Sequence, residues 1–195
     1  MTRDDRGTWS LEGSDGELLI RTGVAGPAAA MGHRLTLAMR QWRATAQWDG
    51  DEPVGAELIV EVGSLQVVRG EGGVTPLSGP EKILVRSNAS RSLNAKRYPR
   101  ITFEANAIDR TDEGYRLTGT LTIQATSREQ VVDVRTDDHG TNWWLSSETA
   151  IRQSDFGIKP YSQLLGALKV ADDVVVSFTA KRAKQTLTDG TEGDR

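Results

Sequence analysis

The sequence predicts a mainly β protein, an antiparallel meander of about eight strands that closes into a barrel or packs as a sandwich, with one helix over residues 80–96. Three observations carry this. Apolar residues alternate with polar ones in several separate segments, the period of half-buried strands. Short connections rich in Asp and Gly join those segments, and such connections make antiparallel neighbours. One segment breaks the alternation, carries helix start and stop signals, and so interrupts the sheet.

In chain order, a short lead-in strand is expected at 8–12 and a second strand at 17–22. A helical turn around 27–33 precedes His33, which falls near the start of the third strand. A further strand at 40–49 ends in the turn Asp49-Gly50-Asp51-Glu52-Pro53. In 56–62, Ala56, Leu58, Val60 and Val62 share one face. The run Arg69-Gly70-Glu71-Gly72-Gly73 reads as a glycine-rich loop. Ser78 and Glu81 have the spacing of a capping box, and Pro80 sits where a first-turn proline is tolerated. Ile83, Leu84, Ala89 and Leu93 then fall on one helical face, and Pro99 closes the segment because the residue before proline avoids the α region. Beyond it, Ile101, Phe103, Ala105 and Ala107 share a face. Leu117, Gly119, Leu121 and Ile123 follow, opposite Thr118, Thr120 and Thr122, the cleanest alternation in the chain. A strand at 130–136 leads through Asp137-Asp138-His139-Gly140 to the face Trp143, Leu145, Ser147, Thr149 and Ile151. Val174, Val176, Phe178 and Ala180 form the last face.

Composition bounds the function. The chain has 195 residues, 37% apolar and 26% charged, which is a globular composition and a length for one domain. A chain of this size buries about 70% of its unfolded surface and needs no covalent staples. There is no cysteine, which excludes disulfides, thiolate metal sites and a cysteine nucleophile. The net charge of -3 argues against a nucleic-acid backbone binder. No apolar run approaches the length of a membrane-spanning helix, and the charged start of the chain lacks the apolar core of a secretory leader, so a cytoplasmic protein is expected. Residues 1–7 and 185–195 are expected to be disordered, the latter an acidic tail, with the domain spanning 8–184.

Candidate chemistry is sparse. His33 reads either as a polar contact at a pocket mouth or as a histidine bonded to backbone near a strand start. His139 sits in an exposed turn, and the two histidines lack metal-ligand spacing. The pairs Asp172-Asp173 and Asp137-Asp138 and the group Asp49, Asp51 and Glu52 read as solvated turns rather than paired acid–base carboxylates. Residues 69–73 lack the Gly-Lys-Ser/Thr ending of a phosphate loop. Asn88-Ala89-Ser90 matches a glycosylation sequon inside the predicted helix. Trp42, Trp48, Trp143 and Trp144 are read as strand-core residues rather than base-stacking platforms. No catalytic set, metal or cofactor is expected, which leaves a hydrophobic ligand pocket. The inward candidates by alternation are Trp42, Leu58, Val60, Ile101, Phe103, Leu121, Ile123, Trp143, Leu145 and Val176, with His33 at the mouth. A filled barrel core needs the same residues at the same parity, so alternation does not separate a solid interior from a hollow one.

Several short stretches resemble one family. Tyr98-Pro99-Arg100-Ile101-Thr102-Phe103 resembles its Tyr-Pro-x-Ile-x-Phe start of a strand after a helix. Gly119-Thr120-Leu121-Thr122-Ile123 resembles its Gly-x-Leu-Thr-Ile strand, and Arg152-Gln153-Ser154-Asp155-Phe156-Gly157-Ile158 its Arg-x-x-Asp-Phe-Gly-Ile signature. Gly32-His33 followed by Trp42 resembles its early Gly-His segment. Taken in order over residues 9–184, they mark a resemblance to the YceI-like family of lipocalin-like barrels. The resemblance implies an antiparallel eight-stranded lipocalin-like β-barrel with a helix over one end. It also implies an apolar channel for polyisoprenoid-type lipids, some with a quinone or pyrophosphate head. The expected function is therefore binding, sequestration or transport of a polyisoprenoid, quinone or other lipid. Neither an enzyme nor a nucleic-acid partner is expected, and a homodimer is left open. The competing readings are a partner-binding module with a filled barrel, and an enzyme using His33 with Arg152 or Asp155.

Overall fold

The computed structural model describes residues 6–184. The strands are β1 (Arg6–Glu12), β2 (Gly16–Ala25), β3 (His33–Met39), β4 (Trp42–Asp49), β5 (Glu52–Glu61) and β6 (Leu65–Gly72). After the helix come β7 (Arg100–Thr111), β8 (Gly114–Ile123), β9 (Thr126–Asp138), β10 (Asn142–Arg152), β11 (Ser162–Gln163) and β12 (Leu168–Ala183). They form one antiparallel sheet in the order β1-β4-β5-β7-β8-β9-β10-β12-β2-β3-β6, with β11 added on β12.

Twelve strands thus stand where about eight were expected. The excess comes from long runs that break at corners, apart from the two-residue β11. Residues 6–25 break at Asp15, which turns back onto Glu12 through its backbone N–H to the Glu12 carbonyl and its carboxylate to the Glu12 N–H, both at 2.8 Å. Residues 33–49 break at Arg40 and Gln41, and residues 52–72 break at the 3-10 turn Val62–Ser64. The last two corners are tied together. Ser64 Oγ accepts the Gln41 N–H at 3.0 Å and donates to the Glu61 carbonyl at 2.7 Å, while the Glu61 N–H donates to the Gln41 carbonyl at 2.9 Å. One end of the sheet is therefore β1-β4-β5 and the other is β2-β3-β6, two ends built from the same three runs. The sheet curls back on itself into a barrel-like shell.

Helix α1 (Gly79–Ser92) begins with the expected capping box. Ser78 Oγ accepts the Glu81 N–H at 3.5 Å, and the Glu81 carboxylate takes the Ser78 N–H at 2.7 Å. The helix stops at Ser92 rather than at residue 96. Asn94 turns left-handed at φ 49°, and the Ala95 N–H returns to the Ser90 carbonyl at 2.9 Å, a Schellman closure that ends the helix before Pro99. The helix lies along β6, an outer strand of the sheet. Lys82 Nζ donates to the Val68 carbonyl at 2.9 Å, and the Arg86 guanidinium to the Gly63 carbonyl at 3.2 Å. Lys82 thus satisfies a carbonyl that the edge of β6 leaves open, and Arg86 one in the 3-10 turn before it.

Other expectations change in detail. Residues 69–72 are strand, not loop, because β6 pairs with β3 through His33↔Gly72. Asp172 and Asp173 lie in β12, at the bulge between Val170 and Val174, rather than in a turn. Arg6 and Gly7 belong to β1, while the rest of the expected disordered ends lies outside the described residues. The turn expected around 27–33 is the 3-10 turn Ala29–Met31.

Candidate functional site

The inside of the shell is a cavity of about 1200 Å³. Its wall is drawn from the inward parity of the long strands; α1 adds Val85, Asn88 and Ala89, and Leu93 just past its end joins them, where β6 has no strand neighbour on that side among the described residues. Leu58, Val60, Ile101, Phe103, Leu121 and Ile123 line it, and so do Trp143, Leu145 and Val176. His33 lines it at the end where β3 begins. Trp42 does not line it. It is buried beside the Arg40–Gln41 corner, edge-on to Phe178 with ring centroids 5.2 Å apart. Alternation placed Trp42 inside correctly but not on the cavity, because the corner next to it turns the strand into a packed layer.

The buried residues form two clusters rather than one core. Leu11, Leu37, Met39, Trp42, Val60 and Leu65 belong to the first, around the corners. Phe103, Leu121, Ile123, Ile151, Phe156 and Ile158 form the second. Leu58, Leu93, Ile101 and Val176 touch both, yet each remains only partly buried. Residues midway between two cores stay accessible only if they face open space. A filled interior at ordinary packing density would have buried them.

A β-bulge explains the part of the wall that alternation missed. The pairing of β7 with β8 shifts between Ala105 and Ala107, so inward parity changes from odd to even. Ile108 and Arg110 consequently line the cavity where Ala107 was expected. Arg110 donates to Tyr115 Oη at 3.4 Å and its guanidinium lies over that ring, so the hairpin end of the cavity carries a fixed cation. At the same end Trp48 packs on Trp9 with centroids 4.4 Å apart, and its buried indole N–H finds no acceptor among the described residues.

The polar residues singled out from the sequence do not converge on the cavity: His33 lines it, whereas Arg152 and Asp155 do not. His33 Nε2 donates to the Thr75 carbonyl at 2.7 Å, so its ring is tied to backbone. Arg152 and Asp155 lie off the cavity wall, beside a separate shallow depression with Arg128 and Asp173. Arg152 pairs with Asp173 at 3.2 Å. Asp172 takes the Ser154 N–H at 2.9 Å and its hydroxyl at 2.5 Å, which pins the 3-10 turn Gln153–Phe156 to β12. Those serine bonds hold the Asp172 carboxyl below its usual range. The signature stretch 152–158 is thus a structural clasp, closed by Gly157 at φ 72°. Asn88 is 8% exposed inside α1, which leaves its sequon inaccessible. Among the described residues, no cluster of His, Asp and Glu could hold a metal ion. Also among them, no helix is long and apolar enough to cross a membrane.

A curled antiparallel sheet around a largely apolar cavity of about 1200 Å³ places the molecule among the barrel-like β proteins that enclose a cavity. The chain belongs to the YceI-like family, whose domain model matches residues 28–181. Its fold is similar to that of BcnA from Burkholderia cenocepacia, with 20% identity and a TM-score of 0.64 over 86% of this chain and 96% of that one. It is also similar to the YCEI protein of Campylobacter jejuni, with 15% identity and a TM-score of 0.52 over 95% and 88%. Among curated proteins, none matches the sequence.

Proposed function

We propose that this protein binds one extended apolar molecule, of the polyisoprenoid or quinone class, and carries or sequesters it without chemical change. The observation that carries the reading is the cavity of about 1200 Å³ that joins the two buried clusters. Each CH₂ moved from water into such a site contributes about 0.8 kcal/mol, so a chain of several isoprene units binds well with few polar contacts. Leu58, Val60, Ile101, Phe103, Leu121, Ile123, Trp143, Leu145 and Val176 are the proposed chain contacts, with His33 at the mouth. Trp42 supports the wall from behind.

Native mass spectrometry of the purified chain, followed by organic extraction, tests this. A stoichiometric adduct with isoprenoid mass spacing supports it, and the same spectrum reports monomer or homodimer. A mass that stays free of adduct after exposure to prenyl lipids and quinones refutes it.

A further inference from the structure

The cavity wall at the end where β3 begins is built from three chain segments that hold one another. The Ala28 N–H donates to the Ala167 carbonyl at 2.9 Å, tying residues 26–34 to residues 159–169. His33 donates to the Thr75 carbonyl at 2.7 Å, tying residues 26–34 to the loop before α1. Each segment both lines the cavity and exposes large apolar side chains. Met31, Val74 and Leu84 do both at once. Ile83, Leu164 and Leu165 stand beside them, exposed.

Two features set this rim apart from scattered surface leucines, which need no explanation. Leu164 and Leu165 are consecutive left-handed residues, at φ 50° and 55°, a conformation that bulky side chains rarely adopt. It holds Leu165 fully exposed between the wall residues Gln163 and Leu168. The second feature is charge. Residues 26–34, 69–84 and 159–169 carry Arg34, Arg69, Lys82, Lys159 and Lys169 against only Glu71 and Glu81, in a chain whose net charge is -3. An apolar crown with a basic surround, on an acidic protein, is complementary to an anionic lipid surface.

We infer that this rim docks on an anionic bilayer and presents the cavity mouth to its acyl layer, so that an apolar cargo passes between membrane and barrel without crossing water. The inference rests on the carrier reading for its purpose, but docking has its own readout. The test is flotation of the full chain with vesicles of phosphatidylcholine alone and of phosphatidylcholine with a quarter phosphatidylglycerol. The intact chain is expected to float with the anionic vesicles, and high salt to release it. Leu165→Asn keeps a residue suited to the left-handed backbone and is expected to lower partitioning at least about tenfold, the least that one leucine side chain removed from water is worth. Lys159→Glu is expected to lower it by a similar factor through the surface potential. Val54→Asn alters an exposed valine in β5, near the hairpin end, and is expected to change nothing.

No flotation with either vesicle overturns the inference, as does an equal loss for Val54→Asn and Leu165→Asn. A dimer that forms with concentration and is abolished by Leu165→Asn overturns it too, by showing that the rim seats a second copy. Native mass spectra of the same proteins report cargo separately. Flotation without any adduct upholds docking and counts against the carrier, and an adduct without flotation does the reverse.

Discussion

A hollow interior predicts that two phenylalanines of similar burial differ sharply in what they contribute. Phe103 is 8% exposed and Phe156 is 4% exposed, and both belong to the same cluster. Phe103 lines the cavity of about 1200 Å³, whereas Phe156 does not. Truncation to alanine removes the same atoms at both sites and loses about 1.5–3 kcal/mol of transfer free energy. At Phe156, which borders only the shallow surface depression beside Arg152, it also opens a new void of up to roughly 100 Å³, which adds up to about 2 kcal/mol at 24 cal/mol per Å³. At Phe103 it only enlarges a space that is already empty, so the void term is small. Urea unfolding of the ligand-free proteins should therefore show Phe156→Ala costing more, by up to about 2 kcal/mol. For a chain of this length each 1 kcal/mol shifts the melting temperature by about 2–4 °C, so calorimetry resolves the gap. Val60 and Val62, 3% and 1% exposed, repeat the comparison two residues apart, because only Val60 lines the cavity. Equal costs within each pair would mean that the interior packs as a solid core, and the carrier reading would fall with it.

Four further outcomes follow from the same geometry. Leu58→Trp, midway between the two clusters, should cost less than about 1 kcal/mol of stability because the ring enters open space, yet should abolish the lipid adduct in native mass spectra. Gly119→Ala should destabilise by about 1–3 kcal/mol in denaturant titration, since its Cβ would lie 2.2 Å from the Glu104 carbonyl oxygen and 2.8 Å from the Phe103 ring. Ser78→Ala should remove the helix cap at a cost of about 0.5–2 kcal/mol and loosen α1 in hydrogen exchange. Asp133, Asp138 and Asp172 are all held below the usual carboxylate range by the donors beside them, which are Arg116, Lys184 with the Gly140 N–H, and Ser154. A depressed folded-state value means stability that is fully present above the unfolded value near 4 and lost as pH falls through the folded one, so melting temperature should be flat down to about pH 4.5 and decline below it.

The strand pattern was legible because each strand has one wet face and one apolar face. Leu117, Leu121 and Ile123 stand inward as the alternation requires, and Thr118, Thr120 and Thr122 stand on the opposite face of β8. The capping box was legible because Ser78 and Glu81 act on local backbone alone. What stayed hidden depends on neighbours. β6 was obscured by its glycines, yet Gly70 and Gly72 pair with Leu35 and His33 because β3 supplies the partner edge. The bulge at Asn106 has no local signature, since it is set by the register against β8, and it moved Arg110 onto the wall. The helix face differs from the expectation at Ile83, which points to solvent, because its placement along β6 follows from Lys82 reaching the Val68 carbonyl of the strand and Arg86 the Gly63 carbonyl of the turn before it.

The corners explain why a chain with the alternation of a plain barrel need not fill its interior. A run that continued straight from residue 6 to residue 25 would keep the same strand neighbours along its length. Instead β1 pairs with β4 while β2 pairs with β12 and β3, so the run leaves one part of the sheet and joins another. The same holds for the runs through Arg40–Gln41 and Val62–Ser64. Buried residues gather beside these breaks, with Met39, Trp42, Val62 and Leu65 among the least exposed in the chain. That dense knot supplies the packing that a solid core would otherwise provide. The second cluster, around Phe103 and Ile158, is anchored in turn by the Ser154–Asp172 clasp. With stability concentrated at two separate sites, the inward residues between them are released from packing against each other, and Leu58, Ile101 and Val176 are left facing a ligand-sized space.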